Sequence, residues 1–178
     1  MRLNLAEVKQ DIDDWIENFL EVKHPDLGNW TPCPYARSAR LKQSYEVRIG
    51  DHVLDDLLEL SRRGLEGKEV IIYAYPHNQY QAQDFRHLVR QANEMFLLNK
   101  DILALDDHPR DVEVVNGVTM NQGKYTLALV QCLSDLNAKA KLVANQGFYD
   151  TWDEEYLQTV FKYREDPRLW VYINIGTN

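Results

Sequence analysis

The residue types best suited to chemistry lie together in Trp30-Thr31-Pro32-Cys33-Pro34-Tyr35-Ala36-Arg37-Ser38-Ala39-Arg40, where a cysteine stands between two prolines and two arginines follow at helical spacing. Proline is favoured at the first helical position because its missing N–H has no partner there anyway, so Pro34 predicts a short helix over 34–41 with Cys33 as its cap. A thiol at that point feels the positive end of the helix, and Arg37 lies one turn on. Both favour the thiolate, the reactive form of cysteine. The competing structural reading is a small buried side chain in a rigid turn, since free cysteine is among the most buried residue types. Cys132 falls within an apolar helical pattern and reads as core.

Histidines and carboxylates follow two apolar runs. Val70-Ile71-Ile72-Tyr73-Ala74-Tyr75 leads into Pro76-His77-Asn78, and Ile102-Leu103-Ala104-Leu105 leads into Asp106-Asp107-His108-Pro109-Arg110-Asp111. If these runs are parallel strands, their carboxyl ends share the sheet edge where ligands bind in open α/β folds. A short helix antiparallel to the first strand brings Cys33 to that edge. The pattern then predicts a site with Cys33 as nucleophile, His108 or His77 as acid or base, and Asp107 or Asp106 holding the imidazole tautomer. Arg37, Arg40 and Arg110 are candidates to clamp a carboxylate or phosphate, against surface salt bridging as the plainer reading. His77, Asp106 or Asp107, and His108, with Cys33 as a further donor, can instead ligate a metal, although no H-x-x-E or H-x-H spacing supports it and no cofactor is named. Each of these histidines also has the plain reading of a loop imidazole bonded to backbone; His24, His52 and His87 read as structural.

The elements that must position these groups are legible from hydrophobic period. Leu5, Val8, Ile12, Trp15, Ile16, Phe19 and Leu20 recur at three and four residues opposite Asp11, Asp13, Asp14 and Glu17, which predicts an amphipathic helix over 1–24 with a solvated acidic face. It ends at His24-Pro25, because the residue before proline is pushed out of helical geometry. Tyr45, Val47 and Ile49 alternate with Glu46 and Arg48 as in an edge strand, whereas the run from Val70 reads as a central one. Val53, Leu54, Leu57, Leu58 and Leu65 predict a helix between them; Phe85, Leu88, Val89, Ala92 and Phe96 predict another before the run at Ile102. The β-α-β-α-β order predicts parallel strands, since each connection carries a crossover helix.

Beyond residue 110 the pattern is less regular. Val112 to Met120 fits a strand or a loop over the sheet edge. Leu129, Leu133, Leu136, Ala140 and Val143 predict a long helix, and Thr151-Trp152-Asp153-Glu154 reads as a capping box before a further one, so 124–165 is expected to be a helical C-terminal part. Residues 168–178 alternate as a closing strand or an arm. The expected fold is a single α/β domain over 1–178, a small mixed sheet with three parallel strands at its heart and helices packed on its faces.

The N-terminal Trp-containing helix, Cys33-Pro34-Tyr35-Ala36 and His108-Pro109 together resemble an uncharacterised bacterial family that carries an early N-L-C-P-F-A-type motif and a later F-H-P-type motif in an α/β chain of similar size. The resemblance covers about residues 10–145. Thr31-Pro32 before the cysteine and Asp106-Asp107 before the histidine depart from the pattern. It implies a paired Cys33 and His108 site and supplies no reaction.

Composition bounds the function. A formal charge of −8 over 178 residues argues against nucleic-acid binding, which needs clustered Lys and Arg. No stretch approaches the ~18 apolar residues of a spanning helix, no signal core opens the chain, and two separated cysteines form no redox motif, so a cytoplasmic, non-membrane protein with reduced thiols is expected. The leading expectation is a small enzyme acting on a small anionic metabolite or modified amino acid through Cys33 and histidine. A binding or regulatory protein, with the acidic helix and the aromatic C-terminal arm as a partner or homodimer interface, is the rival; a metal-dependent enzyme with His and Asp ligands is the third reading.

Overall fold

The computed structural model describes residues 3–168. Its first helix, α1 (Leu5–Trp15), continues into a π-helical turn to Leu20 and buries Val8, Ile12 and Ile16, the positions the hydrophobic period selects. Asn4 caps it by accepting the backbone N–H of Ala6 at 2.9 Å, satisfying one of the donors a helix start leaves unpaired. Helix α2 (Ala36–Leu41) precedes β1 (Tyr45–Ile49), α3 (Val53–Arg63) and β2 (Val70–Tyr75). Then come α4 (Ala82–Ala92), extended by a π turn over Asn93–Leu97, and β3 (Ile102–Asp107). A two-strand hairpin, β4 (Val114–Val115) and β5 (Val118–Thr119), precedes β6 (Thr126–Cys132), α5 (Leu133–Ala144) and α6 (Glu154–Val160).

The main sheet has the order β1-β2-β6-β3. Strand β2 is parallel to β1, as the α3 crossover requires, but β6 runs antiparallel to both β2 and β3 and stands between them. This corrects the expectation of three parallel strands at the heart of the sheet. Strands β1, β2 and β3 do run the same way, yet the α4 crossover spans one extra strand position, and β6 fills it. The correction extends to the C-terminal part, because 126–132 is a strand buried in the sheet rather than the start of a helix. The hairpin between β4 and β5 turns at Asn116-Gly117, both at positive φ, the backbone such tight hairpins need and that Asn and Gly tolerate best. The C-terminal cap also differs from the sequence reading: Asp153, not Thr151, accepts the N–H groups of Glu155 and Tyr156. Of the expected strand or arm over 168–178, all but Arg168 lies outside the described residues.

Apolar side chains alternate between the two faces of the sheet. One face packs Ile71, Tyr73, Tyr75, Ala104, Ala128 and Val130 under α3 and α4, and the other packs Val47, Ile72, Ala74 and Leu127 under α1 and α2. A third cluster joins Ala140 and Val143 of α5 to Phe148, Tyr149, Leu157 and Phe161. The acidic side of α1 is less solvated than its sequence suggests. Asp11 bonds the Lys124 ammonium at 2.5 Å and also takes the Tyr125 hydroxyl, and Asp13 takes that of Tyr45.

Strand β3 ends the sheet, and an unpaired edge is open to pairing with another chain. Asn93 occupies that edge: its amide donates to the Ala104 carbonyl at 2.8 Å and accepts the Ala104 N–H at 2.9 Å, as a neighbouring strand would. Replacing Asn93 with Ala leaves two buried backbone groups unpaired and is expected to cost on the order of 3 kcal/mol. Equilibrium denaturation checks this; a loss within about 0.5 kcal/mol, typical of an indifferent surface site, would show that the clamp carries no weight.

Candidate functional site

The sequence-predicted residues do not assemble at one edge. His108 follows β3, is 1% exposed, and packs near Phe85 on the α4 side of the sheet. Its Nδ1 lies 3.1 Å from the backbone N–H of Arg110, which can act solely as a donor, so Nδ1 is the acceptor; Nε2 then carries the proton and donates to the Tyr80 carbonyl at 3.1 Å. Both ring nitrogens are spent on backbone. His77 is exposed in the turn after β2. Asp107 is 8% exposed and accepts from Asn121 Nδ2 at 2.7 Å and the Gln122 N–H at 2.8 Å, which fastens the 108–122 excursion rather than an imidazole. Burial holds its carboxyl above the usual range despite those donors. Asp106 is likewise raised by burial, with Arg86 opposing.

The arginine candidates are dispersed as well. Arg40 forms a fork with Glu21 at 2.6 and 3.0 Å, which locks α2 to the end of the first helix. Arg37 and Arg110 are exposed, and neither has an ion pair among the described residues. Among the described residues, no group of three or more His, Cys, Asp or Glu side chains is placed to hold a metal ion.

Cys33 lies elsewhere, on the opposite face of the sheet and near its other end. It borders a cavity of about 250 Å³ beside Glu69 and Val70, where β2 begins, and Gln131, where β6 finishes. That cavity sits on the seam between two apolar clusters. Cys33, Ala36 and Val70 come from the cluster under α1 and α2, while Ala140, Val143 and Phe148 come from the C-terminal cluster. Few polar ties cross the seam. The Tyr35 hydroxyl donates to the Lys139 carbonyl at 2.6 Å, and the Lys139 ammonium pairs with Glu69 at 2.7 Å while lying 5.4 Å from the Tyr35 ring centroid. Aromatic edges complete the wall, with Phe148 and Trp152 ring centroids 5.1 Å apart and Tyr149 and Trp152 5.2 Å apart, the tilted contacts that aromatic quadrupoles favour.

The local chemistry at Cys33 is a contest that burial wins. The short helix begins at Ala36 rather than Pro34, with Tyr35 at its cap, and the Tyr35 and Ala36 N–H groups do favour the thiolate, as does Lys139. Removal from water nevertheless pushes the Cys33 thiol above its ordinary value. The thiol is therefore a neutral, polarisable part of an apolar wall at pH 7. Burial also raises the phenols of Tyr35 and Tyr149.

Lys139, Tyr149, Trp152 and Arg164 were not singled out by the sequence pattern. One signal was available: Phe148, Tyr149, Trp152, Tyr156 and Phe161 place five aromatic residues within fourteen positions, more than a solvated helical tail needs. Comparison with protein-family models, with curated proteins and with solved structures finds no match to this chain.

Thiol reactivity follows from this geometry. At pH 7, Cys33 is expected to react with iodoacetamide more slowly than free cysteine, each pH unit of elevation cutting the thiolate fraction about tenfold. Peptide mapping separates it from Cys132. Because the folded thiol keeps its proton to higher pH than the unfolded one, its stability contribution is whole below about pH 8.5 and is lost as pH rises above that. Labelling of Cys33 faster than free cysteine at pH 6 to 7 would contradict the burial argument.

Proposed function

We propose that this chain is a small-molecule binding protein whose ligand occupies the cavity between α2, α5 and the sheet. The observation that carries the reading is the cavity itself. Protein interiors are packed with few voids larger than a water molecule, and an apolar cavity of about 150 Å³ is enough to take up benzene. A cavity of about 250 Å³ with Ala36, Ala140, Val143 and Phe148 in its wall has room for a somewhat larger molecule. A neutral thiol and the paired Tyr35 hydroxyl and Lys139 ammonium add little cost to apolar contact. This belongs to the binding class among the readings of the sequence, with a partly open cavity in place of an acidic face that is partly committed to Lys124, Tyr125 and Tyr45. Cys33 serves as wall rather than nucleophile, and His108 as a backbone clamp. Among the described residues, no helix is long and apolar enough to cross a membrane.

Indole is a suitable neutral probe. Titration calorimetry should show saturable one-to-one uptake, and saturating indole should raise the unfolding midpoint, because a ligand bound to the folded state alone stabilises it. Ala140→Leu extends a buried side chain into the cavity. It is expected to weaken uptake and to increase stability by about 1 kcal/mol through filled space. If indole shows no saturable binding and Ala140→Leu is destabilising as in a full core, the cavity is not a ligand site.

A further inference from the structure

We infer that the ligand of this cavity is a small aromatic monocarboxylate, with Arg164 and the Trp152 indole as its anchors; the inference rests on the cavity being a binding site. Polar groups in the wall fall into two sets. The Tyr35 hydroxyl and the Lys139 ammonium already have acceptors, the Lys139 carbonyl and Glu69. Arg164 Nε and Trp152 Nε1, by contrast, are buried nitrogens without a hydrogen-bond partner among the described residues. Trp15 Nε1, His24 Nε2 and Thr126 Oγ1 are unpartnered too, but their residues do not line the cavity; the two that do are both donors, and since buried polar groups are almost always paired, this wall suits an acceptor carried by a ligand.

Charge narrows the choice. Arg40, Arg48, Arg63, Arg86 and Arg168 each pair with a carboxylate, in a chain with 28 acidic residues against 20 basic ones. Arg164 has no such pair among the described residues. Its guanidinium lies 5.1 Å from the Phe161 ring centroid and beside the Tyr149 hydroxyl. Lys139 is balanced by Glu69, which leaves Arg164 as the uncompensated charge at the wall. A carboxylate supplies two acceptor oxygens and one negative charge, the complement of a guanidinium and an indole N–H together. Trp152, Tyr149 and Phe148 present ring edges and faces, and a single aromatic ring with a short acidic arm suits both the space and these surfaces.

Phenylacetate and 2-phenylethanol share ring and arm length and differ in charge, so calorimetry on the full chain separates the two claims. Phenylacetate is expected to bind at least about tenfold more tightly than the alcohol, as for a charge-assisted pair with a half-buried guanidinium. Arg164→Gln should abolish that preference and leave alcohol and indole binding in place, whereas Arg37→Gln, at an exposed position, should leave it intact. Should the Arg164 variant fail to fold, phenylacetate labelled with ¹³C at the carboxyl gives the same test on the unaltered chain. Its bound carboxyl should titrate below the free acid, and an unshifted titration counts against the anchor. Equal affinity for phenylacetate and the alcohol overturns the carboxylate inference while the cavity reading stands. Failure of indole, alcohol and acid alike removes the cavity reading itself.

Discussion

Insertion of β6 between β2 and β3 is the constraint on which the rest of the structure depends. Each of its residues from Thr126 to Gln131 is paired with β2, and from Leu127 to Cys132 with β3, so it alone joins β3 to the rest of the sheet. It also decides where space is left over. Because β6 is antiparallel, its first residues lie beside the end of β3, and the chain over 108–125 must stay at the carboxyl end of the parallel strands to connect them. Asn121 gathers that excursion by donating to Asp107 and the Asp111 carbonyl and accepting the Glu113 N–H. In open parallel sheets the ligand crevice forms at a switch point on this edge. Here the protein's own excursion and the paired His108 occupy it. At the other end β6 leads straight into α5, which carries Lys139, Ala140 and Val143 over the sheet and forms the cavity wall.

Desolvation outweighs pairing at several titratable groups, and that settles which of them can react. Asp107 accepts two N–H groups and still has a raised pKa, as has Cys33 with two N–H groups and a lysine nearby. Elsewhere pairing wins: Asp11 is lowered by Lys124 and Tyr125, the exposed Asp101 by Ser134, and Glu21, though its side chain is largely covered, by its fork with Arg40. Placing charged or dipolar partners near a nucleophile is therefore insufficient to activate it. The partners must overcome the loss of hydration, which grows as the group is enclosed.

Much of the fold was legible because amphipathic period and burial agree. Val8 and Ile12 in α1 and Ile16 in the turn that continues it, Phe85, Val89 and Ala92 in α4, and β2 from Ile71 to Tyr75 are buried where their spacing places them. Strand β6 was illegible for a physical reason: a strand buried on both faces has no alternation, and Leu129, Leu133 and Leu136 continue at helical spacing into α5. The Asn116-Gly117 pair was the readable sign that the chain folds back as a hairpin before it. The dispersal of the predicted site residues has the same root in part. Convergence of Cys33, His77 and His108 required β2 and β3 to be neighbours and Cys33 to reach their carboxyl ends, and residue types could not reveal that β6 parts the strands, that Cys33 sits where β2 begins, or that backbone groups would take both nitrogens of His108.

A cavity at a seam between clusters differs in energetic standing from a hole in the middle of one. Removing atoms from a single well-packed core costs both their transfer energy and the contacts of the lining. In this chain the cluster under α1 and α2 is closed by Val8, Ile12 and Leu127, and the C-terminal cluster by Phe148, Leu157 and Phe161 with Trp30 and Tyr35 packed against it, so each has its own apolar centre. The Tyr35–Lys139 and Lys139–Glu69 bonds hold the two at a fixed separation. Residual space between them can persist because neither cluster collapses into it without breaking those bonds. Arg164 and Trp152 stand in the wall of that same space, so the seam that preserves the cavity also borders two donors without partners among the described residues.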